Sequence, residues 1–130
     1  MFRIEPMAKM KADDDQLILI KDLPEFPKRV FEGVEMLNVL QSKSFKIAFN
    51  TDENVLLSAP TGAGKTNVAL MTIIREVEKH IDKETFMQND PDYKIVYVSP
   101  MKALASEIVE KFTFRLKKFG VNVRELTGDI

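Results

Sequence analysis

Ala59-Pro60-Thr61-Gly62-Ala63-Gly64-Lys65-Thr66 brings two glycines, a lysine and a threonine hydroxyl into one short turn. Residues of these types at this spacing can bind phosphate. Gly62 and Gly64 let the backbone wrap so that several N–H groups, those of Thr61 and Ala63 among them, point at one anion. Lys65 adds a point charge with reach to the β- and γ-phosphates of a nucleotide, and the Thr66 hydroxyl suits Mg²⁺. Alanine, Ala59, stands where the usual pattern has its first glycine. Gly-x-Gly-Lys-Ser/Thr arises by accident in roughly half a percent of chains this long, so the flanking elements must carry the rest of the argument.

Those elements are legible. Asn54-Val55-Leu56-Leu57-Ser58 is an apolar burst of strand length, and Leu70, Ile73, Ile74, Val77 and Ile81 recur at helical spacing. A strand, a glycine turn and a helix over 65–81 are therefore expected. The helix would aim its unpaired first-turn N–H groups and its positive dipole end at the same anion.

Further on, Lys94-Ile95-Val96-Tyr97-Val98 reads as a second buried strand, and Val121-Asn122-Val123-Arg124-Glu125-Leu126 as a third. Between them Leu104, Ile108, Phe112, Leu116 and Phe119 mark a helix, with Gly120 suited to its end. Upstream, Val34, Leu37, Leu40, Phe45 and Ala48 predict a helix over 31–49, which Gly33 interrupts at its start. Pro24 and Pro27 bracket an irregular stretch, and 82–92 is a polar surface loop. Residues 1–16 read as a flexible leader and 17–130 as the folded portion. The expected fold is α/β: a leading helix, then β-α-β-α-β, with a parallel sheet covered by helices on both faces. Ligands of such sheets sit beyond the carboxyl ends of the strands. The glycine turn, Ser99-Pro100-Met101-Lys102 and Thr127-Gly128-Asp129 all follow strand ends.

At 130 residues and 45% apolar content the chain supports one modest core. It has no cysteine, which excludes disulfides and thiolate metal sites. No apolar run is long enough for a signal peptide or a membrane span, so a soluble, intracellular protein with no membrane partner is expected. With 19 basic and 20 acidic residues the net charge is −1, so any nucleic-acid contact must be local or shared with other protein. Lys111, Arg115 and Lys118 read as a solvated helix face, and His80 is a lone histidine without metal-ligand spacing.

Together these segments resemble superfamily-two helicases. The stretch from Ala59 to Thr66 is similar to helicase motif I, where alanine commonly replaces the first glycine. Ser99-Pro100-Met101-Lys102-Ala103-Leu104-Ala105 resembles motif Ia, and Leu126-Thr127-Gly128-Asp129 the next nucleic-acid-contacting motif. Phe31-Glu32-Gly33, Leu37-Asn38-x-x-Gln41-Ser42, Thr51-Asp52-Glu53-Asn54 and Asn67-Val68-Ala69-Leu70 narrow the resemblance. They are similar to the large two-cassette DExH RNA helicases of the spliceosome and of the activating-signal-cointegrator complex. The resemblance covers about 17–130.

The resemblance implies a partial RecA-like domain, binding ATP and Mg²⁺ and driving RNA unwinding of the pre-mRNA splicing type. It implies that Gln41 reads the adenine edge, its amide both donating and accepting. It also implies that Pro100, Lys102, Thr127 and Gly128 touch the backbone of single-stranded RNA without reading sequence. The implied partners are ATP, RNA, the remainder of the helicase and spliceosomal proteins; the implied location is the nucleus, with the cytoplasm as the alternative. The sequence departs from the family in holding no Asp-Glu-x-His or Asp-Glu-x-Asp box. The expected chain is thus the amino-terminal part of a helicase ATP-binding domain, and the alternative is an inactive nucleotide-binding fragment of that family. An unrelated GTPase is set aside, because no Asn-Lys-x-Asp guanine motif occurs.

Overall fold

The computed structural model describes residues 2–4, 17–58 and 64–126, residues 2–4 by their backbone. The chain divides into two compact units, Met1–Glu76 and Val77–Ile130.

The first unit contains two three-residue strands, β1 (Phe2–Ile4) and β2 (Val55–Leu57). They pair in parallel, with Phe2 opposite Val55 and Ile4 opposite Leu57. Within the stretch read as a leader, 1–16, Phe2–Ile4 pair with β2, and residues 5–16 lie outside the described residues.

Two α-helices lie between β1 and β2, one before and one almost wholly within the 31–49 stretch where a single helix was expected. The first, α1 (Glu25–Val30), occupies the stretch read as irregular. Pro27 fits there because a first-turn N–H has no partner within the helix anyway. The chain then turns at Gly33, whose φ of 89° lies in the left-handed region that glycine tolerates. The second helix, α2 (Val39–Asn50), starts only at Asn38, which caps it. Leu37, Leu40, Phe45 and Ala48 are buried as the periodicity predicts, while Val34 is half-buried. Phe45 and Phe49 stack with ring centroids 5.2 Å apart.

Helix α3 (Lys65–Glu78) follows β2. It stops a turn short of the expected Ile81, but Leu70, Ile73, Ile74, Val77 and Ile81 are all buried. Arg75 ties α3 to the end of α2: its Nε donates to Asp52 Oδ1 at 2.7 Å and its Nη1 to the Phe49 carbonyl at 2.7 Å. Thr51 closes α2 by donating to the Ile47 carbonyl at 2.8 Å. Beside this pair lies a shallow cavity of about 180 Å³, lined by Thr51, Asp52, Glu53, Thr72 and Arg75 among others.

In the second unit, α4 (Lys102–Leu116) runs into a 3₁₀ turn, Lys117–Phe119, and ends at Gly120 with φ 80°. The glycine end is as expected. The apolar stripe is only half covered: Phe112, Leu116 and Phe119 are buried, Ile108 is half-buried and Leu104 is exposed.

Among the described residues the stretches 94–98 and 121–126, expected as strands, carry no strand pairing, so the β-α-β-α-β sheet with helices on both faces is not confirmed. Within them Val96 is 82%, Val98 84% and Leu126 91% exposed. Tyr97 still meets Phe112 edge-on at 5.6 Å. Apolar content makes a segment eligible for a sheet; only neighbouring backbones satisfy its N–H and C=O groups.

The polar stretch 82–92 is a built loop. Asp82 Oδ1 accepts from the N–H groups of Glu84 (2.8 Å) and Thr85 (3.0 Å), and Phe86 closes the turn at φ 61°. His80 stacks on Tyr93 at 4.0 Å and donates from Nδ1 to Asp90 Oδ2 at 3.1 Å, while Tyr93 hydroxyl donates to Gln88 Oε1. The Gln88 N–H reaches the Phe119 carbonyl at 2.8 Å, fastening the loop to the end of α4.

This loop should be sensitive to acid. The His80 hydrogen bond, then the Asp92 N–H, hold the Asp90 carboxyl below its usual range, and backbone N–H groups of Thr85 and Glu84 do the same for Asp82. A depressed carboxylate pKa stabilises fully above the unfolded value near pH ~3.9 and is lost as pH falls through the folded value. The amide resonances of Glu84, Thr85 and Asp92 should therefore hold their positions down through pH ~4 and shift only below it. Midpoints at the free-aspartate value would contradict the anchoring.

Candidate functional site

The expected strand and helix stand on either side of 58–64: β2 ends at Leu57 and α3 begins at Lys65. Gly64 is the last residue before the helix, and its φ of 92° is left-handed. Its carbonyl accepts from the Asn67 N–H at 3.2 Å, the bond that starts α3. Lys65 is exposed at the first helical position and Thr66 is half-buried next to it. The positive end of a fourteen-residue helix, an exposed cation and a hydroxyl thus sit together. Thr61, Gly62 and Ala63, expected to form the rest of the turn, lie outside the described residues.

Gln41 reaches this site from α2. It is buried, at 6% exposure, so the solvated helix face that a glutamine ordinarily occupies does not describe it. Its backbone N–H donates to Asn38 Oδ1 at 2.8 Å, and its Oε1 accepts from the Asn38 N–H at 3.0 Å. The reciprocal pair is a capping box. Its Nε2 then donates to the Gly64 carbonyl at 3.3 Å. Ser42, next along, accepts from the Ile18 N–H at 2.9 Å and donates to the Leu37 carbonyl at 3.3 Å, fixing the entry to α2.

Gly64 has no room for a side chain. A β-carbon there would lie 2.5 Å from Gln41 Nε2 and 2.7 Å from Asn38 Nδ2. The structure therefore brings together Gln41, Gly64, Lys65 and Thr66 and adds Asn38, whose role was missed. Its signal was present, since Asn followed three residues later by Gln is a helix-start pattern in its own right.

Of the four residues expected at RNA, the structure describes two, Pro100 and Lys102, both in the second unit. Pro100 is exposed, and Lys102 is the exposed first residue of α4. Ser99 Oγ donates to the Met101 carbonyl at 3.2 Å, shaping that turn. Thr127 and Gly128 lie outside the described residues. Of the basic face on α4, Arg115 covers the Phe114 ring at 5.3 Å and Lys118 the Phe119 ring at 5.4 Å. Partial burial, with Arg115 nearby, holds the Lys111 ammonium below its usual pKa. Among the described residues no cluster of His, Asp or Glu could hold a metal ion, and no helix is long and apolar enough to cross a membrane.

Comparison with known proteins agrees with this geometry. Residues 38–130 match the DEAD/DEAH box helicase family, a span that begins at Asn38 and takes in the whole site. The chain is 49% identical over 126 residues to the human (Homo sapiens) U5 small nuclear ribonucleoprotein 200 kDa helicase. It is 49% identical over 124 residues to pre-mRNA-splicing factor brr2 of Schizosaccharomyces pombe. It is 45% identical over 126 residues to human activating signal cointegrator 1 complex subunit 3. These alignments cover 95%, 95% and 97% of this chain and 6% of each relative's length. With the family pattern matched over most of its residues, the chain belongs to the DEAD/DEAH box helicases.

Proposed function

We propose that this chain supplies the ATP-binding part of an ATP-dependent RNA helicase of the splicing type. The observation that carries the reading is the left-handed Gly64 at the mouth of α3, with Lys65 exposed beside it and Gln41 fastened to its carbonyl. Phosphates of ATP bind the turn 61–66, with the Lys65 ammonium on their outer oxygens and the Thr66 hydroxyl on Mg²⁺. The bound Mg²⁺ neutralises phosphate charge. The donor set fits such an anion: a turn too tight for a β-carbon, a helix start and a cation.

Gln41 serves the adenine edge. A primary amide offers two N–H groups and two lone pairs, so its bonds to Asn38 and Gly64 leave capacity for a base. Pro100, Lys102, Thr127 and Gly128 contact the RNA backbone together with the rest of the helicase. The names of the relatives, a small nuclear ribonucleoprotein helicase and a pre-mRNA-splicing factor, favour spliceosomal partners and the nucleus; the cointegrator relative keeps the cytoplasm as the alternative.

Titration with a fluorescent ATP analogue tests the site. Lys65→Ala should lose about 1.5–3 kcal/mol of binding, the range of charge-assisted hydrogen bonds, or roughly 10- to 150-fold in affinity. Equal affinities would remove the turn as the phosphate site. In the same titration Gln41→Ala should narrow the preference for ATP over GTP, and an unchanged ratio would leave Gln41 a purely structural role.

A further inference from the structure

We propose that Asn38 is a positioning residue for nucleotide binding, holding Gly64 at the start of α3 through Gln41 rather than touching nucleotide. The proposal rests on the phosphate-site reading above and adds a residue to it.

The geometry fixes a chain of dependence. Asn38 Oδ1 takes the Gln41 N–H and so locks the first turn of α2. In that locked turn the Asn38 N–H faces Gln41 Oε1, which settles which end of the amide is which. An oxygen held by a backbone donor leaves only the Nε2 end for Gly64, whose carbonyl can do nothing but accept. The Gly64 carbonyl thereby receives two bonds, from Gln41 Nε2 across the fold and from the Asn67 N–H along α3. Those bonds hold the residue that joins the turn to the helix in a left-handed conformation. Asn38 also forms part of the wall, its Nδ2 standing where a β-carbon on Gly64 would collide.

Removing the cap should therefore affect every ligand that uses the turn, whether or not it carries a base. A side chain that read adenine alone would affect ATP and leave a bare phosphate chain untouched. This separates positioning from base recognition. Serine is the informative replacement, because a serine at this position caps nearly as well as asparagine and adds no charge near the phosphates.

The experiment compares the 130-residue protein with Asn38→Ala and Asn38→Ser, using ATP and inorganic tripolyphosphate as probes. Hydrogen exchange of the Asn67 amide is read in the absence of ligand. Asn38→Ala should weaken both probes by a similar factor, roughly fivefold for a cap of ordinary strength, and speed exchange at Asn67. Asn38→Ser should restore both. Weakening of ATP alone, or Asn67 exchange unchanged by Asn38→Ala, would overturn the positioning role while leaving the nucleotide site standing. A wild-type protein that bound neither probe would overturn the nucleotide reading itself, and the positioning role with it.

Discussion

A polypeptide of these 130 residues is expected to release no phosphate from ATP above background, with or without RNA. In-line attack on a γ-phosphate needs water oriented by a carboxylate and a cation facing the charge that develops. Phosphoryl transfer offers the protein little else to do, so positioning and charge are nearly the whole of catalysis. The sequence contains no Asp-Glu-x-His or Asp-Glu-x-Asp pair to orient water and complete Mg²⁺ coordination. The nearest acidic pair in sequence, Asp52-Glu53, lies before β2, and Asp52 is committed to Arg75. Loss of an arginine finger alone costs about 10³–10⁵ in rate, and loss of the water-orienting carboxylate multiplies that. A malachite-green assay on contaminant-free protein decides the matter, with Lys65→Ala as the control. RNA-stimulated turnover that disappears in the control would show that these residues assemble a complete hydrolytic site.

The elements that flank the glycine turn were legible because their signals are local. Glycines, a lysine and a hydroxyl at fixed offsets, an apolar burst before them and a 3.6-residue period after them all act within about two turns of helix. Structure bears this out where it describes them: β2 at Val55–Leu57, α3 from Lys65, and Leu70, Ile74 and Val77 fully buried. The capping signal is equally local, Asn38 and Gln41 standing three residues apart at the start of α2.

Of the expected fold, the sheet is the part that the described residues do not confirm. Ile95-Val96-Tyr97-Val98 has the composition of a buried strand, yet composition cannot supply the neighbour that a strand needs on each side. The RecA-like α/β fold of the family rests on such non-local pairing, whereas each helix satisfies its own backbone. Helices α3 and α4 accordingly stand where the periodicity put them, while α2 starts about two turns later than expected, α1 carried no helical signal, and 94–98 and 121–126 carry no strand pairing among the described residues. The reverse case is Phe2–Ile4. A polar, charged leader carried no strand signal, and only its pairing with Val55–Leu57 reveals one.

Gly64→Ala should be the most damaging single change at the site, exceeding Lys65→Ala in its effect on nucleotide affinity. Two costs combine. An L side chain at φ 92° is strained by about 1–3 kcal/mol whatever surrounds it. The added methyl would also meet Gln41 Nε2 at 2.5 Å and Asn38 Nδ2 at 2.7 Å, so both amides must move or the turn must open. Neither response is cheap. Gln41 is buried with its Oε1 on the Asn38 N–H, so displacing its side-chain amide breaks that half of the capping box and the bond to Gly64. Moving Gly64 instead gives up the bond from Gln41 and the one that starts α3. Lys65→Ala, by contrast, removes one charge from an exposed position and leaves the turn as it was. Binding of an ATP analogue should therefore fall more than the roughly 10- to 150-fold expected for the lysine. Circular dichroism should retain the helical signal, because α3 buries Leu70, Met71, Ile74 and Val77 beyond the reach of the turn. Near-normal affinity in Gly64→Ala would mean that the turn adopts another conformation when nucleotide binds, and the latch from Gln41 would then belong to the empty state alone.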